Sequence, residues 1–349
     1  MSPTASATPE ASEAVEVETV APARPAAEKP ATEAASAPAW RPEDVTVHSS
    51  GELPTEDEVS GMEIVIPLSA LPGDEGYHIS KDPRVKAVQW RDLVKVNRWQ
   101  AFKETTLSFP WIAATLACFY MAQSSGNLLW IGGALFCAFY LFLTGLRQVH
   151  CAYHYSVGIS RLGCEFLMVF LSVAMTGSMH VVQLCHLHHH RTNMTPEDVE
   201  GFTGRLKWWQ AILVGPYFPL KLHWFALKTA KPRQRRWIYL ELALNVLWTA
   251  FVAVMTFGYG QWWLGLYLVT MWVAQCGTGF FAVWTVHHGC DDKHHVARTQ
   301  RGWLKNLISY QMFHHIEHHL FPAVPTCHWA KLGKRLDEAA PELREKMVY

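Results

Sequence analysis

Charge is what this 349-residue chain has least of. Only 17% of its residues are Asp, Glu, Lys or Arg, and residues 107–146 and 261–290 contain none. The 30 basic and 30 acidic side chains cancel, so the total gives no reason to expect a nucleic-acid partner. Cysteine is sparse as well. The eight present (118, 137, 151, 164, 185, 276, 290, 327) form no C-x-x-C pair and no short even framework. That excludes a zinc ribbon or a disulfide scaffold and leaves small buried or membrane-facing side chains, in keeping with a reducing compartment. The first 45 residues have almost no large apolar side chains. They are mostly Ala, Pro, Glu, Thr and Ser and cannot bury enough surface to fold. They show no signal-peptide layout, and much Glu with little Arg does not fit a transit peptide. The expectation is a disordered tail over 1–60.

Apolar length is what the chain has instead, with half of its residues hydrophobic and 16 Trp. Four stretches have the roughly 20 apolar residues that a bilayer crossing requires: about 107–123, 127–146, 238–258 and 262–286. They form two hairpins closed by Ser124-Ser125-Gly126-Asn127 and Tyr259-Gly260-Gln261. Neither turn carries Lys or Arg, whereas 147–237 holds eleven. The positive-inside bias then puts both tips outside and the termini and middle segment in the cytoplasm. Residues 162–184, interrupted by Glu165, Ser172, Thr176, Gly177 and Ser178, fit interfacial or half-buried helices, as does the Trp- and Pro-rich 208–225. A fifth span over 162–184 is the rival reading. Residues 61–106 read as cytosolic or interfacial, and 86–106, with Trp90, Val94, Val96 and Trp99 among basic residues, is expected to lie along the surface. The membrane domain is then 107–349.

Three histidine clusters stand at the ends of apolar stretches: His150-Cys-Ala-Tyr-His154, His186-Leu-His188-His189-His190 and His315-Ile-Glu317-His318-His319. Imidazoles three or four residues apart share a helix face and can converge on a metal. Neutral imidazole suits iron, zinc or copper and adds no charge to be desolvated. His287 or His288, after the fourth span, can add one more. Eight or nine imidazoles are too many for one ion, so the count points to a binuclear centre, and the four-span topology places all of them on one side. A fifth span would separate the first two clusters. Taken singly, His150 and His154 read equally well as a polar surface face; H-x-x-H-H occurring twice does not read as accident. His48, His78, His223 and His328 read as interfacial polar side chains, His294 and His295 as solvated loop residues, and His180 as a satisfied core residue.

His150-x-x-x-His154, His186-Leu-His-His189-His190-Arg191 and His314-His315-Ile-Glu-His318-His319-Leu-Phe-Pro322 resemble the three boxes of the membrane fatty acid desaturase and hydroxylase superfamily, over roughly 107–330. The resemblance implies an all-α integral membrane fold: four transmembrane helices in two hairpins, with a cytosolic helical cap carrying a di-iron site above a substrate tunnel. It implies metal ligands at His150, His154, His186, His189, His190, His315, His318 and His319. His287 best matches a further ligand after the last span, and His288 can replace it. His188 and His314 fall at variable positions, and Cys151 stands where many relatives have Asp.

The implied cofactors are two Fe ions, with O2 as co-substrate. The implied partners are the lipid bilayer, an acyl substrate and an external electron donor of ferredoxin or cytochrome b5 type with its reductase, since the chain has no His-Pro-Gly-Gly segment. Glu317 and Glu165 are the expected carboxylates behind the ligands, ahead of Asp198 and Asp291, which read as exposed loop residues. Asn193 can hold a metal-bound water. The Leu-Phe-Pro ending favours desaturation of a long acyl chain. The rival enzymes are a hydroxylase or ketolase of a lipid, alkane, sterol or carotenoid, and a desaturase of a small amino-acid-derived substrate. A membrane metal transporter or sensor would instead carry ligating residues inside its spans.

Overall fold

The computed structural model describes residues 78–290 and 295–348, all within one compact unit, Pro38–Tyr349. The expected tail over 1–60, with His48, lies outside the described residues, as do 61–77, Asp291 and His294. The described residues are helices joined by turns, with a lone bridge between Thr299 and Met347.

Apart from the single turns Pro83–Lys86 and Thr285–His287, the α-helices in chain order are α1 Arg98–Thr106, α2 Phe109–Ser125, α3 Leu129–Tyr153, α4 Arg161–Ala174, α5 Met179–Thr192, α6 Trp208–Leu213 and α7 Tyr217–Thr229. They continue with α8 Pro232–Ala253, α9 Trp262–Cys276, α10 Trp303–Ile308, α11 His315–Leu320 and α12 Trp329–Ala339. Two π-helical segments, Val254–Gly258 and Gly279–Trp284, prolong α8 and α9. Local chemistry sets the ends. Asn97 opens α1 with a reciprocal capping box to Gln100, and Gly126, at φ 68°, turns the chain after α2.

Among the described residues, four helices are long and apolar enough to cross a membrane: Arg98–Ser125, Leu129–Tyr153, Pro232–Gly258 and Trp262–His287. Their outward faces carry large exposed apolar side chains, among them Leu129, Phe136, Leu247, Phe257 and Val273, a surface suited to a hydrocarbon solvent. The second helix runs past the end of its apolar sequence because Arg147 is neutralised. It is buried against Glu104 of α1 at 2.7 Å, and the helix carries on to present His150. At the other end Gln123 bonds both Gln261 and the backbone N–H of Trp263, so both hairpin tips lie together, away from the histidines.

Residues 162–184 do not run as one straight crossing. Helices α4 and α5 meet at 115°, around Thr176 in left-handed backbone at φ 57°. Helices α6 and α7 expose Trp208, Trp209, Leu213, Leu220 and Trp224 and bury Phe218, Leu222 and Ala226. The segment before α1 divides. Trp90 and Val94 face inward with Ile79, Val85 and Leu93, packing against Phe321, Val324, Trp329 and Leu336 of the cap, while the large apolar side chains Trp99 and Phe102 of α1 face outward. Within 86–97, Val88, Trp90, Leu93 and Val94 thus pack into the cap core, while Lys86, Arg91 and Lys95 of the same segment stay exposed.

Candidate metal centre

Four elements converge at the end of the bundle opposite the hairpin tips. The last turn of α3 brings His150 and its C-cap His154; α5 brings His186, His189 and His190; α11 brings His315, His318 and His319. His287 comes from the turn Thr285–His287, directly after the π-helical Gly279–Trp284. A π-helical insertion shifts the register of the helix beyond it. All nine imidazoles are buried.

They fall into two groups. His150, His154, His186, His190 and His318 form one, and His189, His287 and His319 the other. His315 joins the second through its Nε2, 3.0 Å from that of His287. Other Nε2–Nε2 separations are 3.0 Å for His150–His186, 2.7 Å for His190–His318 and 3.0 Å for His189–His287. Metal–nitrogen bonds of about 2.1 Å at right angles set neighbouring donors about 3 Å apart. The Nε2 atoms of His154 and His319 are buried with no hydrogen-bond partner, each at a cost of about 1–3 kcal/mol. The donor set therefore fits metal ions, and the two groups can each hold one. All three boxes meet in one cluster, so the first and second lie on the same side of the molecule.

Burial and the neighbouring imidazoles hold His154, His190, His315, His318 and His319 well below the usual histidine range. These rings are neutral at pH 7 and offer lone pairs. His189 moves the other way. Burial opposes its charge, but the Asp198 carboxylate, 2.7 Å from its Nδ1, outweighs burial. Burial likewise opposes ionisation of Asp198, yet His189 and the backbone N–H groups of Gly201 and Met194 hold it far below the carboxylate range. Positive charge on this ring, from a proton or a metal, is thus matched from behind. His186 Nδ1 meets Glu200 Oε1 at 3.2 Å, and His287 Nδ1 donates to the Val296 carbonyl at 3.1 Å. The Nδ1 atoms of His150, His190, His315 and His318 have no such acceptor.

Two expectations about carboxylates are corrected. Asp198, read as an exposed loop residue, is 1% exposed, because the loop after α5 folds back and three of its N–H groups close on this side chain. Glu317 and Glu165 do not hydrogen-bond to any of the nine clustered imidazoles. Glu317 accepts from Thr299 and pairs with Arg301 at 2.6 Å, which ties α11 to the chain before α10. Glu165 and Glu241 clamp the two ring nitrogens of His180, each at 2.7 Å, making it the satisfied core residue expected. Glu200 was not singled out by its sequence context. Its only signal was a run of carboxylates, Glu197, Asp198 and Glu200, shortly after the second box.

The remaining expected participants point elsewhere. His288 donates to the Gly204 carbonyl beside Trp284, His188 to the backbone carbonyl of Glu197 beside Phe225, and His314 lies against Arg301. Asn193 donates to Val296 O, the carbonyl that also receives His287. His328 and His295 are buried rather than interfacial or solvated; His328 donates to Leu93 O at 2.6 Å and fastens the cap. Cys151 meets Thr326 Oγ1 at 2.7 Å. A small cavity of about 30 Å³ touches His150, His186, His315 and Glu200, and a larger one of about 260 Å³ lies next to it.

The family model described as fatty acid desaturase matches residues 125–349, a span that holds all nine imidazoles and both groups. No curated protein matches the chain. With the family match covering well over half of its length, the chain belongs to the fatty acid desaturase family, within the membrane desaturase and hydroxylase superfamily.

Proposed function

We propose that the protein is an O2-dependent di-iron desaturase that places a double bond in a long acyl chain, using electrons from a separate ferredoxin or cytochrome b5 type donor. The observation that carries this reading is the pair of buried imidazole groups bordering a cavity at the membrane end of the cap. His150, His154, His186, His190 and His318 are assigned to one iron, and His189, His287, His315 and His319 to the other.

The bound irons supply reduction of O2 and removal of hydrogen from an unactivated C–H bond. In the balance, one O2, two electrons from the donor, two protons from water and two substrate hydrogens give one C=C bond and two waters. The chain's own residues position and exclude. Asp198, Glu200 and the Val296 carbonyl hold their imidazoles in the tautomer that points Nε2 at the metal. Leu146, Val149, Val182 and Phe218 form the apolar part of the adjoining cavity's wall, opposite His150, His186 and His315 in its lining. An all-histidine set of donors would bring no carboxylate charge to bound irons and would leave them cationic. The basic residues of 147–237 favour a cytoplasmic centre and cytoplasmic termini.

Membranes of a host with defined lipids test the reading. The wild-type chain should yield new acyl species lighter by about two mass units, as removal of two hydrogens requires, and His318→Ala none. Species heavier by one oxygen would reassign the enzyme as a hydroxylase. Unchanged product from His318→Ala with full iron content would overturn the site assignment.

A further inference from the structure

We propose that Arg298 is a positioning residue for one metal position and not the other, the one assigned to His189, His287, His315 and His319. This rests on the two-metal reading above and adds what holds His287 in place. The imidazoles of α5 and α11 stand within helices, whose own hydrogen bonds fix the backbone beneath each ring. His287 has less of that support. It is the last residue of the turn Thr285–His287, the chain turns out of the helix at His288 (ψ 124°), and Gly289 is left-handed at φ 69°. The Nε2 atoms of His189 and His315 nevertheless lie 3.0 Å from that of His287, so contacts from elsewhere in the chain must hold this ring.

The segment 296–298 supplies those contacts. Three consecutive residues at the end of the last span each bond to it. The Val286 carbonyl accepts from the Arg298 N–H at 2.7 Å, His287 Nδ1 donates to the Val296 carbonyl at 3.1 Å, and the His288 carbonyl accepts from Arg298 Nε at 2.6 Å. On its other side the Arg298 carbonyl accepts from the N–H of Ile316 at 3.1 Å, the residue next to His315. Arg298 therefore ties the turn that carries His287 to the helix that carries His315. The first group takes four of its five imidazoles from α3, its C-cap and α5, so this tie bears mainly on the second.

Arg298 is 7% exposed and is held from behind by the end of the chain. Its Nη1 donates to the Met347 carbonyl at 2.9 Å. Beside it the Thr299 N–H donates to the Lys346 carbonyl, the Val348 N–H donates to the Thr299 carbonyl, and Lys346 Nζ donates to the Gly289 carbonyl. One guanidinium thus spans two carbonyls on separate segments, those of His288 and Met347. A planar fork of N–H donors meets that geometry, whereas an ammonium on a single stem meets one end of it. The turn closes tightly over the fork, since a Cβ on Gly289 would lie 3.3 Å from Nη2.

The test needs no turnover. Full-length protein in lipid nanodiscs is loaded with Fe2+ and titrated without oxygen against a graded chelator. Arg298→Met keeps the stem and removes the donors. It should release one iron at a chelator concentration at least about tenfold below wild type, the low end of what losing such outer partners costs, and leave the other within about twofold. Arg298→Lys, which reaches one carbonyl, should fall between. Added to His287→Ala, Arg298→Met should leave the remaining iron where His287→Ala alone puts it. Amide exchange in the iron-free Arg298→Met protein should quicken in peptides covering 284–290 and 296–300 and not in those covering 148–156 or 180–192. Lys346→Met, which removes the bond to Gly289 and leaves Arg298 in place, should move the same iron in the same direction. Unchanged iron release in all three single variants at Arg298 and Lys346 overturns the positioning role and leaves the two-metal reading standing. Both irons leaving together, with faster exchange throughout the cap, also overturns it, because general loosening predicts that result. Wild type holding fewer than two irons overturns the two-metal reading as well.

Discussion

Replacing Asp198 by Asn should empty one metal position and spare the other. The carboxylate is fully withdrawn from water and accepts a hydrogen bond from His189 Nδ1–H at 2.7 Å while three backbone N–H groups, those of Met194, Glu200 and Gly201, hold it in place. Asn keeps the shape and one acceptor oxygen for the backbone. Its amide can present N–H to Nδ1, and the ring then moves its proton to Nε2, the atom that faces the metal. A hydrogen bond to a charged group contributes about 1.5–3 kcal/mol, which is about 10–100-fold in affinity, the range found when such outer partners are removed. Metal content after dialysis against a graded chelator should therefore show about one ion lost at concentrations where wild type keeps both. Glu200→Gln, acting on His186, should weaken the other ion instead. If both variants retained two ions with wild-type chelator midpoints, the carboxylates would not be orienting the ligands, and the reasoning fails.

Two further outcomes come from packing. Phe218 is 1% exposed and lines both cavities; Phe218→Ala should loosen chain register, where one carbon is about 1 Å, and give mixed double-bond positions by mass spectrometry, whereas a single unchanged position would contradict its role. Arg147→Met leaves Glu104 buried without its partner and should cost about 3–5 kcal/mol in reversible unfolding, with most of the loss recovered in the Arg147→Met, Glu104→Gln double variant; no recovery would show that the pair is not what carries α3 beyond its apolar sequence.

The four spans were legible because charge-free stretches of that length have few other homes, and the imidazoles because H-x-x-H-H on a helix commits three rings to one region. What sequence pattern could not show was what stands behind the ligands. Asp198 and Glu200 sit in a polar loop whose composition reads as solvent-exposed, and only the fold-back after α5 buries them. Glu317 and Glu165, chosen for ligand-bearing or apolar neighbours, proved to be partners of Arg301 and His180. The same limit applies to Trp90, Val94 and His328. Their burial depends on contacts between residues before α1 and residues near α12, far apart in the chain. Helix α3 outran its apolar sequence for a related reason, since the partner of Arg147 lies on another helix.

The most direct measurement of the central claim is the metal content of the purified chain, by elemental analysis paired with iron spectroscopy. Two irons per chain, coupled to one another and both lost in His318→Ala, His287→Ala double variants, is the predicted result. A single ion per chain, or a metal content unchanged by removing both histidines, would contradict it.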